Sequence, residues 1–144
     1  MSETSPPVAR HPSRAALGVV ALGGALGALA RYGITLALPH EPGAFPWATF
    51  LTNVLGCALI GVLMVVVTEV SRAHPLVRPF LGVGVLGGFT TFSTYVVEFQ
   101  HSMAAGRPVT GLLYLVGTLA AALTAVTLAA RLTRRLATVR AEAA

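Results

Sequence analysis

Two adjacent glycines and a run of hydroxyl side chains interrupt an otherwise apolar stretch of the sequence. The run reads Gly87-Gly88-Phe89-Thr90-Thr91-Phe92-Ser93-Thr94-Tyr95. Glycines weaken a helix by about 1 kcal/mol each, and threonine and serine side chains compete for local backbone hydrogen bonds. A helix broken at membrane depth frees backbone groups that need a new partner, and such breaks mark ion or substrate sites. The run predicts such a break, with tight packing around Gly84 and Gly88 as the alternative.

Polar side chains also share faces of the neighbouring apolar segments. Thr49, Asn53 and Gly56 fall at i, i+4 and i+7, on one side of a helix. Asn53 either makes an interhelical hydrogen bond worth about 0.6 kcal/mol or donates an N–H to an anion in a pore. Tyr114 and Thr118 lie one turn apart, and their hydroxyls either line a path or bond to a carbonyl of their own helix.

Two charged side chains lie in or at the ends of apolar segments. Arg31 would cost about 2.5 to 3.5 kcal/mol at mid-bilayer. It therefore either reaches the interface or forms a positive vestibule that attracts anions. Glu98 shares a helical face with Thr94 and Tyr95. We expect it to be a structural acid bonded to a hydroxyl, a partner of an arginine, or a proton carrier.

These side chains belong to a sequence too apolar for a soluble domain of its size. Of its 144 residues, 55% are hydrophobic and 10% charged, and the mean hydropathy is +0.77. A bilayer core about 30 Å thick needs roughly 20 apolar residues per helix. Four windows satisfy this, at about 15–38, 46–67, 76–100 and 109–131. We predict an all-α membrane protein with four transmembrane helices, the third broken mid-membrane.

The rest of the sequence forms tails and short connections. Residues 1–14 are expected to be a disordered cytoplasmic tail, and 132–144 a basic cytoplasmic tail. Arg10 and Arg14 before an apolar run also resemble a signal peptide, but three further spans favour a retained first helix. On one side of the membrane the helices are flanked by Arg10, Arg14, Arg72, Arg78, Arg131, Arg134, Arg135 and Arg140. The other side has Arg107 and, at most, Arg31 as a second arginine. The positive-inside rule then places both termini in the cytoplasm of a cell-membrane protein.

Several function classes lack their sequence signals. The arginines lie at helix ends rather than on one face among aromatic residues, which argues against nucleic-acid binding. Cys57 is the only cysteine, and the four histidines have no metal-ligand spacing. The sequence has no GxxxxGK[ST] phosphate loop and no nucleophile–base pair. We therefore expect neither an enzyme nor coupling to nucleotide hydrolysis.

Three motifs rich in small and hydroxyl residues lie in three different apolar segments. They are Gly23-Gly24-Ala25-Leu26-Gly27-Ala28-Leu29-Ala30-Arg31-Tyr32, Thr49-Phe50-Leu51-Thr52-Asn53-Val54-Leu55-Gly56, and Gly87 to Thr94 with Glu98 beyond. Together they resemble the Fluc or CrcB family of four-helix fluoride channels over nearly the whole chain. The resemblance implies passive, fluoride-selective export that confers fluoride resistance. It also implies a dimer of oppositely oriented subunits with two narrow pathways.

The resemblance assigns roles to particular residues. The backbone carbonyls of Gly87 and Thr90 from both subunits would hold a structural Na⁺ at the dimer centre, as hard cations prefer oxygen ligands. Phe92 matches one of two family phenylalanines whose positive ring edges face the anion. Arg31 matches the vestibule residue, and Asn53 supplies a polar contact in the pathway. Further candidates for the polar wall are Thr49, Thr94, Tyr114 and Thr118.

Two features depart from the family pattern. Tyr95 stands at the second phenylalanine position, where its hydroxyl either bonds fluoride or obstructs the path. Eight arginines flank one side against one or two on the other. This asymmetry favours a fixed orientation and pairing with an oppositely oriented paralogue in a heterodimer.

Two other functions compete with a conducting channel. One is a small proton-coupled multidrug exporter, which would carry an acid in the first helix, where this sequence has only Arg31 as a charged intramembrane residue. The other is a non-conducting partner subunit of a heterodimeric fluoride channel. Tyr95 is the argument for that second alternative.

Overall fold

A computed structural model describes residues 13–70 and 74–142, and this range is helical with short connections and no strand. Helix α1 spans Arg14–Ala37 and begins at a common type of cap, since the Ser13 hydroxyl accepts the Ala16 N–H at 3.1 Å. Helix α2 spans Trp47–Val70. Its last turn, Val66–Val70, is π-helical.

Helix α3, Arg78–Ala104, consists of three parts. It is π-helical over Arg78–Leu86, α-helical over Gly87–Phe89 and α-helical again over Ser93–Ala104. At Thr90 the backbone is extended, with φ −79° and ψ 160°. We call the segment from Thr90 to Phe92 the interruption of α3.

Helix α4, Pro108–Glu142, has 35 residues. At about 1.5 Å per residue it is about 50 Å long, well beyond a bilayer core of about 30 Å. The helix therefore continues past the expected end at 131 through most of the segment 132–144. No glycine or proline follows Gly117, so nothing in the sequence stops it. Arg134 donates to both carboxylate oxygens of Glu69 at 2.9 Å, which ties this extension to the end of α2.

Each of the four helices is long and apolar enough to cross a membrane, with mean hydropathy between 1.5 and 2.5. The prediction of an all-α protein with four membrane-length helices is confirmed for the described residues. The four helices start within two residues of the predicted windows, whereas α2, α3 and α4 end later than predicted. The tail expected at 1–14 lies outside the described residues except for Ser13 and Arg14, and Arg14 is already helical.

The burial pattern is the reverse of that in a water-soluble protein. Thr49, Thr52 and Tyr114 are buried, whereas Leu29 and Leu113 are each 65% exposed. In water so many exposed large apolar side chains would favour aggregation, but hydrocarbon is as apolar as they are. The outer surface is therefore suited to lipid contact.

Glycines set the closest contact between helices, which joins α1 to the first part of α3. A Cβ added at Gly27 would overlap the carbonyl oxygen of Val85, and one added at Gly88 would overlap that of Gly24. Gly84 packs in the same way against Gly23. The close packing considered for Gly84 and Gly88 is therefore present, and it fixes α1 beside the interruption.

Candidate functional site

Helical hydrogen bonding in α3 stops at Thr90. The Thr90 N–H donates to the Leu86 carbonyl at 3.0 Å, but the Thr91 N–H donates to Oδ1 of Asn53, on α2, at 2.9 Å. In return, Nδ2 of Asn53 donates to the Thr91 carbonyl at 2.9 Å. One side-chain amide thus satisfies both backbone groups of Thr91, as a neighbouring strand would. The interhelical hydrogen bond considered for Asn53 is therefore present, and its partners are the backbone groups of Thr91.

Thr91 also caps the last part of α3, Ser93–Ala104. Its Oγ1 accepts the Thr94 N–H at 3.1 Å and donates to the Thr94 hydroxyl at 3.0 Å, a role that N-cap residues usually play. Thr91 was not among the site residues predicted from the sequence. Its signal there was only its place in the hydroxyl run, which did not separate it from Thr90 or Ser93.

Arg31 reaches from α1 to the interruption. Its Nε donates to the Gly88 carbonyl at 3.2 Å, which in a continuous helix would accept the Phe92 N–H. The guanidinium therefore compensates one of the carbonyls that the interruption leaves without its helical donor. Its predicted role toward anions is a separate matter and stays a prediction.

Besides those of Gly88 and Phe89, whose helical donors would be the N–H groups of Phe92 and Ser93, the carbonyls of Gly87 and Thr90 lose their helical donors. Their partners would be the N–H groups of Thr91 and Thr94, and both of these bond to side chains instead. Among the described residues neither carbonyl accepts a hydrogen bond. Two neutral oxygens are thus available here for a hard cation.

An open groove of about 330 Å³ lies between α2, α3 and α4 beside the interruption. Most of its wall is apolar, and no charged side chain lines it. An apolar groove with a few polar groups is typical of a binding site. Its predicted site residues are Asn53, Gly87, Thr90, Phe92, Tyr95 and Thr118. Thr49, Thr94 and Tyr114 lie outside this wall.

Three aromatic rings connect the outer face of the bundle with its interior. Phe92 is 78% exposed, and its ring centroid lies 5.8 Å from that of Tyr95. The Tyr95 ring lies 5.4 Å from that of Tyr114, which is fully buried. The Tyr95 hydroxyl donates to the Leu115 carbonyl on α4. Its proton is therefore engaged by protein, and the hydroxyl is directed toward α4.

Two buried hydroxyls on α4 have no protein partner among the described residues. They belong to Tyr114 and Thr118, and Thr118 is only 3% exposed. Thr49 lies near Tyr114, but the Tyr114 hydroxyl forms no hydrogen bond with it. Buried hydroxyls without a partner are rare, so these two are available as donors to an ion.

Glu98 lies toward the far end of α3 and pairs with histidine. Its Oε2 lies 3.1 Å from Nε2 of His40 and 3.8 Å from Nδ1 of His101. The partners expected from the sequence were a hydroxyl or an arginine, and within the described residues the carboxylate contacts neither. The histidines are predicted from the sequence to have no chemistry, because they lack metal-ligand spacing. His101 lies three residues after Glu98 on α3, whereas the contact of His40 depends on how the first loop folds back onto α3.

Comparisons with known proteins agree over most of the chain. The family model described as CrcB-like protein, Camphor Resistance (CrcB), matches residues 18–130. The chain is 61% identical over 119 residues to fluoride-specific ion channel FluC 1 of Streptomyces coelicolor, covering 83% of this chain and 77% of that protein. It is 54% identical over 120 residues to FluC 2 of Thermobifida fusca, covering 83% and 89%. It is 43% identical to FluC of Saccharophagus degradans over 117 residues, covering 81% and 88%.

Proposed function

The chain belongs to the CrcB family, and we propose that it is a multi-pass membrane channel through which fluoride leaves the cytoplasm passively, which confers resistance to fluoride. One observation carries the proposal. The uncharged groove beside the interruption of α3 is lined by Asn53, Phe92, Tyr95 and Thr118, which supply hydrogen-bond donors and ring edges. Relatives up to 61% identical are named fluoride-specific channels.

The groove offers what a partly dehydrated small anion needs. An ion that loses water in a narrow pore must receive donors or positive dipoles from the wall. A side-chain amide has two N–H donors, and Asn53 uses one for the Thr91 carbonyl at 2.9 Å, which leaves the other for fluoride. The edges of the Phe92 and Tyr95 rings carry the positive end of the ring quadrupole. Asn53 thus holds the interruption and contacts the anion at once.

The interruption lies at membrane depth in this proposal. Thr91 is the middle residue of Arg78–Ala104, the third membrane-length helix. Non-helical backbone is tolerated there only where protein, water or an ion satisfies it, and Asn53 and Arg31 supply three hydrogen bonds to it.

A second, oppositely oriented subunit completes the pathway, as it is expected to do in the family. The groove is open on the outer face, and the exposed Phe92 ring projects beside it. The free carbonyls of Gly87 and Thr90 fit a structural Na⁺, since hard cations take neutral oxygen ligands. Two carbonyls from each subunit would hold it. When bound, the ion would supply positive charge that stabilises the contact between the interrupted helices of the two subunits.

Size-exclusion chromatography in detergent tests the dimer and the ion together. If the chain pairs with itself, or once the paralogue is co-purified with it, we expect a dimer in NaCl. Replacing Na⁺ with N-methyl-D-glucamine should then dissociate the dimer or lower its unfolding temperature. A dimer with the same unfolding temperature in both salts would contradict the Na⁺ site, and a monomer in NaCl would contradict the self-dimer.

The flanking charges support a fixed orientation with both termini in the cytoplasm. Arg14, Arg78 and Arg131 lie at one end of the bundle, and Arg107 lies at the other. A chain with such an asymmetry inserts mainly one way. An oppositely oriented paralogue is then the natural partner.

Tyr95→Phe is expected to keep fluoride efflux within about threefold of the parent. The Tyr95 hydroxyl bonds the Leu115 carbonyl, so the substitution removes one interhelical bond worth about 0.6 kcal/mol and leaves the ring edge in the wall. The measurement is fluoride efflux from liposomes beside thermal unfolding. A loss of efflux without loss of stability would show instead that the hydroxyl contacts the anion. This hydroxyl contact does not support the non-conducting alternative, because the groove stays open beside it.

Fluoride efflux from liposomes containing this chain alone is the test of the proposed function. Efflux is followed with a fluoride electrode in the presence of a potassium ionophore, with chloride efflux as the control. Rapid fluoride efflux without chloride leak is expected if the chain pairs with itself. Efflux only after addition of the paralogue would support the heterodimer, and no fluoride efflux in either preparation of folded protein would contradict the channel.

A further inference from the structure

A cluster of titratable side chains lies at the end of the bundle opposite the termini. We call His40, Glu98 and His101 the histidine cluster. Both imidazoles approach the same carboxylate oxygen of Glu98, His40 at 3.1 Å and His101 at 3.8 Å. His40 and Glu98 are largely buried, with side chains 22% and 17% exposed, whereas His101 is 62% exposed. The cluster is thus anchored in the bundle and open to solvent through His101.

The charge of the cluster depends on the protons it binds. With both imidazoles neutral and the carboxylate ionised its net charge is −1, and each proton on an imidazole adds one unit. Histidine ordinarily changes charge between about pH 5 and 8. One proton bound to an imidazole would make the anionic cluster neutral, and a second would make it cationic.

The histidine cluster adjoins the aromatic rings that lead from the groove. Glu98 follows Tyr95 by three residues, on the same face of α3. The Tyr95 ring lines the groove and lies 5.4 Å from the ring of Tyr114. Glu98 is thus one helical turn beyond a ring of the groove wall, toward this end of the bundle.

The other ionisable side chains toward this end of the bundle are not histidines. They are Arg31 and Tyr32 on α1, Tyr95 on α3, Tyr114 on α4, Glu41 in the first loop and Arg107 in the third. Tyrosine, glutamate and arginine ordinarily titrate outside pH 6 to 8. A response in that interval at this end of the bundle is therefore specific to the two histidines.

We propose that the histidine cluster is a proton-binding site at the mouth of the fluoride pathway, and that protons bound there increase fluoride throughput. The proposal rests on the proposed channel function. With neutral histidines the Glu98 carboxylate repels fluoride at the mouth, and protonated histidines cancel that repulsion and attract the anion. In the proposed orientation this end faces outside, where acid also drives the entry of fluoride as HF.

Fluoride efflux measured between pH 8 and 6, with equal pH on both sides of the liposome, tests the site. The partner found necessary for efflux is included, and the HF leak of protein-free liposomes is subtracted at each pH. We expect the parent to conduct about fivefold faster at pH 6 than at pH 8. The double variant His40→Gln/His101→Gln should match the parent at pH 8 and lose the increase. His74→Gln is the matched control, because His74 lies in the connection at the other end of the bundle.

Each outcome separates the site from the channel. A parent that conducts equally at pH 8 and 6 contradicts the proton site and leaves the channel standing. A double variant that keeps the full pH response likewise contradicts the proton site and leaves the channel standing. If the double variant shows no fluoride efflux even at pH 8, size-exclusion profiles of the single variants show whether the protein has misfolded. A folded single variant that keeps the full pH response counts against the proton site. No fluoride efflux at any pH contradicts the channel itself.

Discussion

Asn53→Ala is expected to lower fluoride efflux by about 100-fold or more and to destabilise the protein. The alanine leaves the N–H and carbonyl of Thr91 without the two bonds of 2.9 Å that Asn53 provides. An unsatisfied buried backbone group costs about 1 to 3 kcal/mol, and a loss of about 3 kcal/mol lowers the population of the conducting form about 100-fold. If the Thr91 N–H instead bonds to the Gly87 carbonyl, part of this cost is recovered, but the new bond removes an oxygen from the proposed Na⁺ site.

Two readouts separate the structural role of Asn53 from contact with fluoride. Efflux and the unfolding temperature should both fall, and the Na⁺ dependence of the dimer should weaken. Thr127→Val is the matched control, because Thr127 is exposed on α4 and its hydroxyl bonds only the Leu123 carbonyl of its own helix. Efflux lost at an unchanged unfolding temperature would mean that Asn53 acts on the anion and that its bonds to Thr91 contribute little.

Gly27→Ala is expected to destabilise the fold strongly, by about 1 to 3 kcal/mol for an overpacked contact. The added methyl group would overlap the carbonyl oxygen of Val85, and a backbone atom cannot rotate away as a side chain can. Helix α1 must then move outward, which also stretches the bond of 3.2 Å from Arg31 to the Gly88 carbonyl. The unfolding temperature and the yield of monodisperse protein should both fall, and fluoride efflux should fall with them.

Gly33→Ala provides the matched comparison on the same helix. A Cβ at Gly33 meets no atom within 4 Å, and alanine is favoured over glycine in a helix by about 1 kcal/mol. This variant should be as stable as the parent or more so. Equal behaviour of the two alanine variants would show that α1 does not pack against α3 as closely as the structure indicates.

Both predictions concern the way other helices hold the interruption of α3. Its own residues supply the side-chain bonds of Thr90 and Thr91 and the backbone bonds of Thr90 and Phe92. Helix α2 contributes Asn53, and α1 contributes Arg31. The close glycine contact brings α1 near enough for Arg31 to reach Gly88. The site is therefore as sensitive to packing on α1 as to the residues that line the groove.

The sequence alone determined the number and order of the helices, because apolar windows of membrane length are a local property that bilayer thickness selects. The run from Gly87 to Tyr95, in which the sequence predicts a break because paired glycines and hydroxyl residues disfavour a helix, contains the extended residue Thr90. That the break lies at membrane depth stays a prediction. Asn53, Phe92, Tyr95 and Thr118 were predicted as site residues by face-sharing and family resemblance, and all four line the groove.

Only the tertiary structure decided which groups meet. The pairing of Asn53 with Thr91 joins residues 38 positions apart, and those of Arg31 with Gly88 and His40 with Glu98 join residues 57 and 58 apart. The sequence marked Asn53 and Arg31 as polar groups needing partners, but a side chain in hydrocarbon takes whatever donor or acceptor packing brings within reach. That choice depends on how closely the helices approach one another, which glycines such as Gly27 and Gly88 set, and no local pattern of residues contains it.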